Sequence, residues 1–87
     1  MKEITMFMFE GCPHCKKARQ IMDQLKAAHP EYQAVPFRMI DEKKEPDVAA
    51  AYDYYYVPTF YVGGEKLHEG TVTTEDVEKV FQAALEK

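Results

Sequence analysis

An apolar run with no helical period, Glu3 to Phe9, is broken by Glu10-Gly11 and followed at once by an amphipathic helix. Ile4, Met6 and Met8 fall on one face of the run, and Thr5, Phe7 and Phe9 on the other. A short stretch that is apolar on both faces reads as a central strand covered from both sides. In the helix that follows, Ala18, Ile21, Met22 and Leu25 make one buried stripe, while Lys16, Lys17, Gln20, Asp23 and Gln24 face water. His29-Pro30 ends it.

Further along, Gln33 to Ile40 reads as a second strand. Pro36 lies within it and lacks the donor that a ladder needs, which puts this strand at a sheet edge. Glu42 to Glu45 is a solvated charge cluster, Pro46 suits a first helical position, and Asp47 to Tyr52 reads as a short helix. Thr59 to Val62 and Glu65 to Glu69 are β-prone runs joined by Gly63-Gly64, a two-residue hairpin signal. Thr73 paired with Asp76 marks a last helix, whose buried face is Val77, Val80, Phe81 and Ala84. The order is β-α-β-α-β-β-α, and 87 residues make a single α/β domain, 1–87.

Composition then removes whole classes of function. With 46% apolar residues and a net charge of −4, the chain buries enough surface to order itself. No run is long enough to span a membrane, and with Met1 leading into strand-like sequence no signal peptide is expected. Fifteen acidic against 11 basic side chains disfavour a nucleic-acid or anionic-membrane surface. A monomeric, cytoplasmic protein is expected. In a reducing compartment, two close cysteines point to catalysis or a metal rather than a structural staple.

Those cysteines are Cys12-Pro13-His14-Cys15, at the junction of the first strand and first helix. Pro13 fits the first helical position and so places Cys12 at the N-cap, where unpaired N–H groups and the positive helix end favour thiolate over thiol. His14 and the cations of Lys16 and Lys17 act in the same direction. Cys15 continues the stripe of Ala18, Met22 and Leu25, so it points inward. Cys12 is therefore expected to be the exposed attacking thiol and Cys15 the buried resolving one. The rival reading is a metal or iron–sulfur site on Cys12, His14 and Cys15. It lacks a second Cys-x-x-Cys to complete a closed site, so no metal is expected.

With that tetrapeptide after the first strand, Val57-Pro58-Thr59 before the third and Gly63-Gly64 in the hairpin, the chain resembles the thioredoxin superfamily. In length and element order it is most similar to the glutaredoxin branch. The resemblance implies a four-stranded mixed sheet in order 2-1-3-4 with helices on both faces, and a cis Pro58 beside the cysteines. It implies too that the Val57 backbone pairs with an extended substrate segment. The activity implied is thiol–disulfide exchange on protein or small-molecule disulfides, with glutathione or a flavin-dependent thioredoxin reductase restoring the dithiol. No bound cofactor is expected; the redox-active group is the Cys12–Cys15 pair, and glutathione enters only as a possible co-substrate.

Departures from the family pattern sharpen this reading. The chain has no tryptophan, and Met6 stands where thioredoxins carry a buried acid. Phe9 stands where glutaredoxins usually have a lysine, and Gly70, Thr71, Val72 and Thr73 replace the acidic pair that holds glutathione's amino end. Only Thr73 and Thr74, at the start of the last helix, remain to receive a carboxylate. Weak glutathione binding is expected. The Cys-Pro-His-Cys tetrapeptide resembles that of periplasmic disulfide oxidases, and a histidine beside the attacking sulfur makes the disulfide more oxidising. Tyr52, Tyr54, Tyr55, Tyr56 and Tyr61 crowd the segment around Pro58 and are expected to fill the core, with a substrate platform as the alternative. His29 and His68 read as surface residues.

Overall fold

In the computed structural model, which describes residues 1–86, β1 (Ile4–Met8) runs through the middle of the sheet and is buried along its whole length. After it come α1 (Pro13–Ala28), a 3₁₀ turn at Pro30–Ala34, β2 (Phe37–Asp41), α2 (Pro46–Ala50), β3 (Thr59–Val62), β4 (Glu65–Glu69) and α3 (Thr74–Leu85). The sheet order is β2-β1-β3-β4. β2 is parallel to β1, with Met6 opposite Met39, while β3 is antiparallel to β1, with Met6 opposite Phe60. β4 is antiparallel to β3.

The two-sided pattern of β1 divides the core. Ile4, Met6 and Met8 join Phe60 and Val62 of β3 against the apolar stripes of α1 and α3. Phe7 and Tyr61 face the other way, with Ile40 and Ala49, under α2. There the fully buried Phe7 ring meets Tyr52, Tyr54 and Tyr61 at centroid distances of 4.6, 4.8 and 5.7 Å. Each such aromatic pair adds about 1 kcal/mol beyond the area it buries. Three of the five crowded tyrosines thus belong to the core, whereas Tyr55 and Tyr56 are 86% and 70% exposed.

The second strand departs from the sequence expectation. It begins at Phe37, because the preceding residues coil into the 3₁₀ turn and stack Tyr32 on Phe81 of α3, with centroids 4.7 Å apart. Pro36 stands just outside the ladder, where its carbonyl accepts the Ile4 N–H at 2.9 Å. β2 does lie at an edge, but no proline interrupts it. The hairpin turn follows expectation, since Gly63 and Gly64 both have positive φ, at 58° and 88°.

Candidate active site

The strand-to-helix corner is made by Gly11, whose φ of 91° no side chain would hold without strain. Cys12 follows in extended conformation as the N-cap of α1, and its Sγ accepts the Cys15 N–H at 3.3 Å. Pro13 opens the helix, having no N–H to leave unpaired. The first turn carries no acidic residue. An N–H donor and the positive end of a 16-residue helix therefore converge on one sulfur. His14, Lys16 and Lys17, in the first turns of α1, are exposed, and Lys16 lines the same cleft as Cys12.

Cys12 is not the exposed thiol that the sequence suggests. It is 6% exposed and Cys15 1%, because the Cys12 sulfur turns back over the first helical turn and packs in the same cluster as Met8 and Cys15. The two sulfurs differ in surroundings more than in exposure. Burial pushes the Cys15 thiol up from 9.0 to about 12, helped by its hydrogen bond to Cys12 and by the charge of Glu42, and opposed by the Phe9 amide. Cys15 is thus a thiol at neutral pH. A cleft of about 560 Å³ reaches both cysteines, with Phe9, Glu10, Lys16 and Arg19 in its wall.

Arg19 escaped the sequence reading, although it lies one helical turn beyond Cys15, a spacing that puts both on one face. Lys43, which the sequence places in a solvated charge cluster, instead lies over an aromatic ring. Its Nζ sits 4.4 Å from the Phe9 ring centroid, so a cation from the loop after β2 covers the residue that follows β1 where the resemblance has a lysine. Glu10, in the wall of the cleft, is paired with Lys44 at 3.3 Å.

Val57–Pro58 is a cis bond. Pro58 is fully buried, and Val57 packs against both halves of the core, including the half that holds the cysteines. Thr73 caps α3. Its hydroxyl accepts the Asp76 N–H, and its own N–H donates to the Asp76 carboxylate at 2.9 Å. Asp76 is held below the usual carboxylate range mainly by that Thr73 N–H. With Glu75 and Asp76 in its first turn, this helix end is already supplied with negative charge. His68 bonds the Thr71 carbonyl at 2.7 Å, and His29 lies 3.9 Å from both Glu31 and Glu78. Among the described residues, no three His, Cys, Asp or Glu side chains gather as metal ligands. A metal on Cys12 and Cys15 would need donors from outside.

Residues 4–67 match the family model described as glutaredoxin. The chain is also 26% identical over 83 residues to a thioredoxin of Methanocaldococcus jannaschii, covering 95% of each chain. Two solved structures share the fold. The oxidised thioredoxin of Plasmodium falciparum aligns with a TM-score of 0.72 at 17% identity, over 98% of this chain and 82% of that one. A mutant thioredoxin of Halobacterium salinarum aligns with a TM-score of 0.71 at 19% identity, over 99% and 76%.

Proposed function

Since this chain belongs to the glutaredoxin family, and so is a thiol–disulfide oxidoreductase in kind, we propose that it reduces polypeptide disulfides through Cys12 and Cys15. The observation that carries the reading is the Cys12 Sγ at the N-cap of α1, receiving the Cys15 N–H while Cys15 itself stays protonated. The Cys12 thiolate attacks one sulfur of the substrate disulfide; that S–S bond breaks and one substrate thiolate leaves. Cys15 then attacks the Cys12 sulfur of the mixed disulfide, and its proton passes to the second departing substrate thiolate. The chain ends as a Cys12–Cys15 disulfide and the substrate has gained two electrons. His14 supports the thiolate from the exposed side of the turn.

The family name suggests glutathione as reductant, but the residues argue for weak use of it. The α3 N-terminus, where Thr73 would meet a carboxylate, is satisfied by its own Asp76 and faces Glu75. Phe9 takes the place of the usual lysine. A cytoplasmic monomer recycled by a flavin-dependent thioredoxin reductase fits these features, with no resident metal or cofactor.

Offering the oxidised protein both reductants tests the proposal. Reduction of insulin should be sustained by a thioredoxin reductase and poorly by glutathione, with Phe9→Lys improving the glutathione route. Saturable turnover at low glutathione would overturn this choice of reductant, and no reduction of insulin under dithiothreitol would overturn the function.

A further inference from the structure

The segment that leads into Pro58 is held by a device on the far side of the sheet. In a regular strand, residues three apart point to opposite faces. A register shift between Phe60 and Tyr61 breaks that rule in β4: Lys66 lies opposite Tyr61, and Glu69 opposite Thr59. Both side chains therefore emerge on one face. Lys66 Nζ donates to Glu69 Oε1 at 2.8 Å and to the Asp53 carbonyl at 3.3 Å. The other carboxylate oxygen of Glu69 accepts two successive backbone N–H groups, those of Tyr55 and Tyr56, the latter at 2.9 Å. Tyr61 adds its hydroxyl to the Asp53 carbonyl at 2.7 Å.

Downstream the same segment is fixed again. The Thr59 hydroxyl donates to the Tyr56 carbonyl, and the Gly70 N–H to the Pro58 carbonyl at 2.9 Å. Val57 stands between these anchors. Among the described residues no hydrogen bond uses its N–H or its carbonyl. A backbone pair left open between clamped neighbours is a template for one added strand.

We infer that Glu69, neutralised by Lys66, is a positioning residue that sets the Val57 backbone for an extended polypeptide carrying the disulfide. This rests on the proposed function and narrows it. Substrates with a peptide backbone gain from the clamp, while small disulfides do not. The Lys66 ammonium and the two amides hold Glu69 well below its ordinary 4.5, at about 2, so the carboxylate stays charged across the working pH range.

Kinetics of Glu69→Ala and Glu69→Gln on insulin and on a small aromatic disulfide, dithiobis(nitrobenzoate), test the inference. Glu69→Ala should raise KM for insulin about tenfold with little change in kcat, as loss of a charge-assisted contact that acts in binding predicts. The small disulfide should lose far less. Glu69→Gln, which keeps an acceptor oxygen, should fall between Glu69→Ala and the parent. Should Glu69→Ala not fold, amide exchange in the parent decides: Tyr55 and Tyr56 should be protected, and exchange at free-peptide rates overturns the clamp. Equal losses on both substrates, or none on insulin, would also overturn it and leave the proposed function standing. A parent that reduces the small disulfide but not insulin would overturn the polypeptide reading, and one that reduces neither would overturn the function itself.

Discussion

Two helices in this molecule begin in opposite ways. α3 starts at Thr73 with reciprocal bonds to Asp76 and two acidic residues in its first turn, so its end is satisfied and its dipole answered. α1 starts at Cys12, with a sulfur as its cap, no acid in the first turn, and Lys16 and Lys17 close by. By the rules of helix stability the second is the poorer start, because sulfur is a weak acceptor and cations oppose the dipole. On the proposed function, the difference separates a helix end that holds the fold from one left open for chemistry. A satisfied end has no positive potential left to lend. The α1 end leaves its positive potential directed at the Cys12 sulfur, which on the proposed function is the attacking group.

If that contrast is right, the first turn of α1 should tune redox equilibrium. Replacing His14 with Tyr removes a neighbour that favours the reduced thiolate, and the reduction potential should fall by tens of millivolts. About 30 mV corresponds to a tenfold change in this two-electron equilibrium. Equilibration against a glutathione redox buffer measures it, and an unchanged or higher potential would break the comparison.

A smaller effect is expected for the fold itself. Thr73→Ala should cost about 1 kcal/mol of stability, roughly a factor of five in the folding equilibrium. Cys12→Ser, which puts a preferred cap residue at α1, should hold or raise the thermal midpoint while abolishing exchange. The Thr73 N–H keeps Asp76 below its ordinary carboxylate range. That contribution is therefore complete above the range and is lost as the pH falls through it. Thermal melts at neutral and acid pH compare the variants; a Cys12→Ser protein less stable than Thr73→Ala would contradict the division of labour.

These two helix starts were readable because caps are local. Pro13 after Cys12, and Thr73 with Asp76, are signals within one turn of chain, and both helices begin where those residues place them. The apolar faces of β1 were equally legible, since alternation is a local property of a strand. Pro36 misled because a proline within a β-prone run and a proline just before it look alike in sequence. What separates them is Tyr32 stacking on Phe81, a contact between distant parts of the chain. Lys43 over Phe9 and the grip of Glu69 on Tyr55 and Tyr56 were hidden in the same way. The second also depends on a register shift that leaves no mark in the composition of β4. Cys12 was placed correctly on the helix but expected to be too open. The cap position fixes where its Cα lies, while the packing of Met8 and Cys15 decides how much of its sulfur is covered.

The claim on which the rest depends is that the sulfur at the cap attacks and the buried one resolves. Comparing Cys15→Ser and Cys12→Ser for mixed disulfides with polypeptide substrates tests this most directly, by non-reducing electrophoresis and mass mapping of the adducts. Cys15→Ser should accumulate adducts on Cys12 that persist until an outside thiol breaks them. Cys12→Ser should trap almost nothing, because burial keeps Cys15 protonated. Comparable trapping by the two variants, or adducts on Cys15 alone, would contradict the account.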